Sequence, residues 1–179
     1  MLEVRRFLEG VDPEVAVVLD PVMTSGSGER ALMAPTGLRV LESLRSRVDL
    51  ITPNANEAAT MLGKRRWEGD PVEGVRKLTA RGWKRVLLKG GHLPGASSGE
   101  EAIVDWYGEG SEVLGLSGLK ILKGEVRGTG CQLSSAIAAE RGRGVEWRAA
   151  VDRGRSYLHE MMSDRARVIG GGAAVVFRG

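Results

Sequence analysis

The sequence is poor in the residues from which special sites are often built. It carries one cysteine and two histidines, so an intramolecular disulfide is excluded and a Cys/His zinc cage is hard to assemble. Phe, Trp and Tyr make up 4% of the chain, too few for the stacking platforms that hold single-stranded nucleic acid. Neither sign of charge prevails: 26 Lys and Arg stand against 23 Asp and Glu, a net charge of +3, which does not suit a polyelectrolyte partner. Apolar stretches such as Val15-Ala16-Val17-Val18-Leu19 stop far short of the roughly 20 residues that span a bilayer. The opening MLEVRRFLEG lacks the apolar core of a signal peptide. These absences lead to the expectation of a cytoplasmic protein with no nucleic acid and no membrane among its partners.

Glycine is what the chain has in excess, at 26 of 179 residues, about twice the usual share. Glycine serves where a backbone turns tightly or comes close to a ligand, so its placement carries more information than its number. The length, with 42% apolar and 27% charged residues, suits one compact domain. No repeat, low-complexity tract or linker divides it, and a single domain over residues 1–179 is expected.

Along the chain, strand and helix patterns alternate. Residues 15–20 (VAVVLD) form a β-branched run stopped by Asp20-Pro21, as expected of a strand buried on both faces of a parallel sheet. A loop through Thr24-Ser25-Gly26-Ser27-Gly28 should follow. Leu38, Leu41 and Leu44 then mark one face of a helix over 35–47. A strand at 48–52, a helix at 55–62 ending at Gly63, a helix at 72–80 stopped by Gly82, and a strand at 84–89 running into Gly90-Gly91 come next. Such alternation predicts βαβ units and an α/β fold with a mostly parallel sheet covered by helices on both faces.

The second half begins with a Pro/Gly/Ser loop over 93–100 and two short strands, 102–107 and 112–116, that could pair across Gly108-Glu109-Gly110. Residues 120–123 are a further strand candidate. A helix of small residues is expected from Cys131 to Arg141, and a longer one over 145–163 with Trp147, Val151, Leu158 and Met161 or Met162 on one face. Gly170-Gly171-Gly172 then precedes a last apolar run, 173–177.

Four short stretches could carry chemistry. Gly128-Thr129-Gly130-Cys131 stands directly before a helix, where unhindered N–H groups and the helix dipole form a nest for an anion such as phosphate. The same surroundings favour a Cys131 thiolate able to act as base or nucleophile; the competing interpretation is a tight turn followed by a small buried residue. Asn54 and Glu57 form an N-x-x-E between a strand and a helix, placed either to hold Mg²⁺ at the strand ends or simply to cap the helix. Asp20, ending its own strand, has the same two interpretations. Lys89 before Gly90-Gly91 could neutralise phosphate where glycine lets a ligand approach, or close a plain turn. Arg141, Arg148 and Arg155 interleave with Glu140, Glu146 and Asp152 and describe a solvated face.

Taken in order, Val18-Leu19-Asp20-Pro21-Val22-Met23, Ile51-Thr52-Pro53-Asn54-Ala55-Asn56-Glu57, Leu88-Lys89-Gly90-Gly91-His92 and Gly128-Thr129-Gly130-Cys131 resemble the hydroxymethylpyrimidine and phosphomethylpyrimidine kinases of thiamine biosynthesis, within the ribokinase-like superfamily. The resemblance runs over nearly the whole chain. It implies a ribokinase-like fold, a kinase using ATP and Mg²⁺, and a small pyrimidine bearing a hydroxymethyl group as substrate. By position it implies Cys131 as the base, with Gly128 and Gly130 in the anion hole for the transferred phosphoryl group. It puts Lys89, Gly90, Gly91, Thr129 and Asn54 on the nucleotide side and assigns Glu57 and Asp20 to the metal.

The chain also departs from that pattern. Family members usually begin with an N-terminal third that has no counterpart here, so the domain is expected to be incomplete at that end, with strand edges and apolar surface left uncovered. Gly26-Ser27-Gly28 stands where a Lys-Ser-Gly is usual, Val126-Arg127 where Thr-His is common, and Gln132 where a Thr is usual. Three functions stay open: the pyrimidine kinase; a catalytically weak or inactive remnant that binds nucleotide or a partner; and, ranked lower, a pyridoxal-type vitamin kinase, whose members generally carry Asp where this chain has Cys131. A homo-oligomer is among the options.

Overall fold

The computed structural model describes residues 2–23, 35–93, 102–119, 126–168 and 174–176. The expected loop at Thr24–Gly28, most of the 93–100 loop, the strand candidate at 120–123 and the glycine run at 170–172 lie outside the described residues. The chain divides into two compact units, Met1–Gly118 and Leu119–Gly179.

In the first unit a five-stranded sheet has the order β1-β2-β3-β4-β5, formed by Val18–Leu19, Leu50–Ile51, Arg85–Leu88, Ala102–Glu109 and Glu112–Leu119. β1, β2 and β3 run parallel, with Val18 opposite Leu50 and Ile51 opposite Val86. β4 then lies antiparallel to β3, with Leu88 opposite Trp106. The parallel strands are shorter than their apolar runs. Asp49 takes the Val17 amide on its own carboxylate at 2.9 Å, the Val17 and Leu19 carbonyls accept the Leu50 and Thr52 amides across the strand pair, and past Leu19 the Val22 amide turns back to the Asp20 carbonyl. β4 and β5 extend beyond the expected strands, and the connection is Gly110-Ser111 rather than Gly108-Glu109-Gly110, with Gly110 at φ +59°. Gly108 stays within β4 because a Cβ there would lie 2.2 Å from Val75; its lack of a side chain serves packing against a helix.

Among the described residues this unit has four α-helices: α1 (Leu2–Glu9), α2 (Pro35–Ser43), α3 (Ala55–Met61) and α4 (Pro71–Ala80). The leucine stripe of α2 is inward, Leu41 and Leu44 being buried, but the helix ends at Ser43. There the backbone tightens to i→i−3 bonds, Leu44 to Leu41 and Arg47 to Leu44, and the Arg47 guanidinium reaches the carbonyls of Asp12 and Val15. Asp70 caps α4 through the Val72 and Glu73 amides ahead of Pro71, and Gly82 just beyond it adopts φ +97°. Ile51, Val86 and Leu88 of the sheet meet Ala58, Val75, Leu78 and Trp83 in a single core. Removing apolar side chains of this size from water stabilises the unit by about 1.5–3 kcal/mol each before entropy is charged against it. α1 buries Leu8 while Leu2 and Phe7 stand 63% and 71% exposed, and β1 is an outer strand of its sheet.

The second unit holds α5 (Thr129–Gly142), α6 (Trp147–Arg165) and a three-stranded sheet of order β6-β8-β7, formed by Val126–Arg127, Ala174–Val176 and Ala166–Val168. β7 was not legible in the sequence: it follows α6 directly and pairs antiparallel with β8. α5 begins two residues before the expected Cys131, because Gly128 at φ +82° provides the turn into it. The two helices pack closely where Gly154 meets Ile137, a contact that a Cβ would narrow to 2.7 Å. Trp147 and Val151 are buried as their spacing predicts, and the Arg141 guanidinium sits 4.5 Å over the Trp147 ring. Among the described residues no helix is long and apolar enough to cross a membrane.

Candidate active site

The C-terminal ends of β1, β2 and β3 carry Asp20, Thr52-Pro53-Asn54 and Lys89. In parallel α/β sheets this edge is where ligands bind, because the strand ends diverge and helix N-termini open onto it. Lys89 continues the parallel ladder for one more bridge, opposite Asn54, and its amide donates to the Pro53 carbonyl at 2.9 Å. That backbone anchor starts the long side chain back toward the other two strand ends. Its Nζ lies 2.8 Å from Asp20 Oδ1 and 4.0 Å from Glu57 Oε2, with all three side chains largely buried.

Glu57 is held from two directions. Asn54 and Glu57 form a reciprocal capping box at the head of α3: the Glu57 amide donates to Asn54 Oδ1 at 3.0 Å and the Asn54 amide to Glu57 Oε2 at 2.7 Å. The capping role and the metal role set against each other in the sequence are therefore compatible, since the cap fixes a carboxylate beside Lys89. Burial pushes the Glu57 carboxyl above its ordinary value, and neighbouring Asp20 adds to the rise. The Asn54 amide, the Lys89 charge and the Met23 amide pull the other way without cancelling it. Thr52, fully buried, places its hydroxyl 3.4 Å from Asp20 Oδ1 and 3.5 Å from the Leu19 carbonyl.

Among the described residues the strand ends hold these two carboxylates and one ammonium, and burial raises the Glu57 carboxyl above its ordinary value. Among the described residues no group of three or more His, Cys, Asp or Glu forms a metal cage; Mg²⁺ is commonly held by one or two carboxylates with waters and substrate phosphates. Asp20 and Glu57 fit that donor set.

Beyond Lys89 the chain enters a 3-10 turn, Gly90–His92. A Cβ on Gly90 would lie 2.0 Å from the Val104 carbonyl oxygen, so only glycine fits; Gly91 has open space around it. The Gly90 amide donates to Asp105 Oδ1 at 2.7 Å. Thr52 and Asp105 were not singled out in the sequence. The available signal for Asp105 was one carboxylate inside the otherwise apolar AIVDWY strand.

The structure thus brings together Asp20, Asn54, Glu57, Lys89 and Gly90, with Gly91 next along the turn. Gly128, Thr129, Gly130 and Cys131 stand at the head of α5 in the second unit. There Gly128 provides no side-chain cap, the first i→i−4 bond runs from the Gln132 amide to the Gly128 carbonyl at 3.1 Å, and Cys131 is exposed. The N–H groups of such a first turn point away from the helix toward whatever lies before it.

The family model described as phosphomethylpyrimidine kinase matches residues 3–176. The chain belongs to this family. Among curated proteins, the hydroxymethylpyrimidine/phosphomethylpyrimidine kinase of Escherichia coli (strain K12) is 37% identical over 82% of this chain and 54% of its own length. The chloroplastic thiamine biosynthetic bifunctional enzyme of Arabidopsis thaliana is 35% identical over 89% of this chain and 30% of its own. The phosphomethylpyrimidine kinase of Clostridium difficile 630 superposes with a TM-score of 0.68 at 31% identity, covering 89% of this chain and 62% of that one. A pyridoxal kinase from Staphylococcus aureus superposes with a TM-score of 0.79 at 18% identity, covering 98% and 63%, and shares the fold. The ribokinase-like α/β assignment therefore holds. This phosphomethylpyrimidine kinase family member spans about half the length of the bacterial hydroxymethylpyrimidine/phosphomethylpyrimidine kinases it matches.

Proposed function

We propose that the chain is an ATP- and Mg²⁺-dependent kinase for hydroxymethylpyrimidine and its monophosphate, in thiamine biosynthesis. The observation that carries this proposal is the Asp20–Lys89–Glu57 cluster at the ends of three parallel strands, in a chain matched by the kinase family over 3–176. That match takes in both compact units and supports treating them as one domain.

Phosphoryl transfer asks a protein for positioning and for stabilisation of charge on the moving group. In this proposal the amides of Gly128, Thr129 and Gly130 receive the transferred phosphoryl oxygens. Cys131 takes the proton from the substrate oxygen as that oxygen bonds to the γ-phosphorus and the bond to the β-phosphate oxygen breaks, releasing ADP. Asn54 and the Lys89-Gly90-Gly91 turn lie on the nucleotide side, and Lys89 balances phosphate charge. Mg²⁺, held by Asp20 and Glu57 with waters and phosphate, would neutralise the charge developing on the leaving group.

The test is ADP release by the purified chain with ATP and Mg²⁺, with and without hydroxymethylpyrimidine, beside Cys131→Ser. Pyrimidine-dependent release that falls by two orders of magnitude or more in the variant, with ATP affinity unchanged, is expected; general-base catalysis is worth about 10²–10⁴. Unchanged turnover in the variant removes Cys131 as the base. ATP binding without pyrimidine-dependent release favours the nucleotide-binding remnant, and release that responds to pyridoxal instead favours the vitamin kinase.

A further inference from the structure

We infer that Asp105 is a positioning residue for Lys89: it caps the turn that follows the lysine and so fixes where the ammonium can reach. The antiparallel ladder between β3 and β4 runs from Arg85 opposite Glu109 to Leu88 opposite Trp106. The next rung would set Lys89 opposite Asp105. Instead Lys89 bridges Asn54 on the other side, and Gly90 opens a 3-10 turn. An amide at the start of such a turn has no partner within it, and Lys89, at the capping position, makes no side-chain cap.

Asp105 fills that role from the neighbouring strand. Its Oδ1 accepts the Gly90 N–H at 2.7 Å in a partly buried setting, the short distance typical of a bond to a charged acceptor. The fit depends on Gly90, whose missing Cβ lets the turn lie against the Val104 carbonyl. Lys89 is thereby pinned on both sides, its own amide bonded to the Pro53 carbonyl at 2.9 Å and the next amide bonded to Asp105. With the backbone held at both points, the side chain is directed at Asp20, 2.8 Å away, and Glu57. Without the Asp105 bond the turn can swing away from β4, and the ammonium loses its fixed origin.

The importance of Lys89 rests on the kinase proposal, but the way Asp105 holds it does not, and the experiment keeps the two apart. Gly90 amide hydrogen exchange and acylation of Lys89 by an amine-reactive reagent, the latter read by peptide mass spectrometry, are compared in wild type, Asp105→Ala and Asp105→Asn. Denaturant unfolding confirms that each variant is folded. Asp105→Ala should speed Gly90 exchange about ten- to hundredfold, the worth of a hydrogen bond to a charged group, and raise the Lys89 acylation rate severalfold. Asp105→Asn, which keeps an acceptor, should recover most of both. Lys89 acylation within twofold of wild type in folded Asp105→Ala overturns the proposal, because a purely structural contact would leave the lysine undisturbed. If Asp105→Ala does not fold, the wild-type chain still decides: a Gly90 amide exchanging at the unprotected rate overturns it equally. Failure of the wild type to turn over ATP would defeat the kinase proposal and leave these outcomes standing.

Discussion

Replacing Lys89 with methionine keeps the length and apolar stem of the side chain and removes only the charge, which isolates what the ammonium does. At an effective dielectric constant of ~20, a separation of 2.8 Å from Asp20 corresponds to about 6 kcal/mol of attraction, and 4.0 Å from Glu57 to about 4 kcal/mol. Most of this is offset by the cost of burying the lysine, and removing one partner of a buried ion pair typically costs about 3–5 kcal/mol. Exposures of 15% for Lys89 and 12% for Asp20 let water in and favour the lower end. A loss of about 3 kcal/mol in a chain of this length lowers Tm by about 6–12 °C.

The sign of the pH dependence follows from Glu57, whose carboxyl already lies above its ordinary value of 4.5 because burial outweighs the Asn54 amide and the Lys89 charge. Without Lys89 it rises further. A carboxyl raised in the folded state contributes stability that is full below its unfolded value and is lost as pH rises through the folded one. The gap between variant and wild type should therefore be small near pH 4.5 and widen toward pH 7.5. Urea unfolding at both pH values, with and without millimolar Mg²⁺, measures it, and the cation should narrow the gap at pH 7.5 by binding the folded state. A penalty under 1 kcal/mol that is flat with pH and indifferent to Mg²⁺ would refute the account of the cluster.

Glu57→Gln retains an acceptor for the Asn54 amide, since Gln serves in a capping box, and removes the buried charge. Stability at pH 7.5 should equal or exceed wild type, the pH dependence due to Glu57 should disappear, and any ADP release should need more Mg²⁺; an unaltered Mg²⁺ requirement reduces Glu57 to a helix cap. Gly90→Ala drives a Cβ against the Val104 carbonyl and should cost about 1–3 kcal/mol in urea unfolding, whereas Gly91→Ala, with open space around it, should stay within about 0.5 kcal/mol. Equal costs for the two glycines would contradict the packing of the turn on β4.

The chain's own chemistry made much of this legible beforehand. The Leu38, Leu41 and Leu44 stripe lies within or just past α2, and Gly63 and Gly82 sit at positive φ after their helices, because side-chain periodicity and backbone sterics act within a few residues. Asp20 and Lys89 at strand ends, and Asn54 and Glu57 between a strand and a helix, were recognisable for the same reason. Extents were less legible: β1 shrinks to Val18–Leu19 and the hairpin turn moves to Gly110-Ser111, since a strand is as long as its partner allows.

What the sequence determined by itself was the alternation of elements, the placing of polar groups at their ends, and membership of a family through four motifs kept in order. Tertiary structure alone decided that Lys89 would reach 2.8 Å from a carboxylate 69 residues earlier in the chain. It also decided that Glu57 would ionise against resistance and that a carboxylate on β4 would cap the turn after β3. Local preferences depend on neighbours along the chain, whereas a charge's partners and its desolvation depend on neighbours in space, and those exist only once the strands have paired.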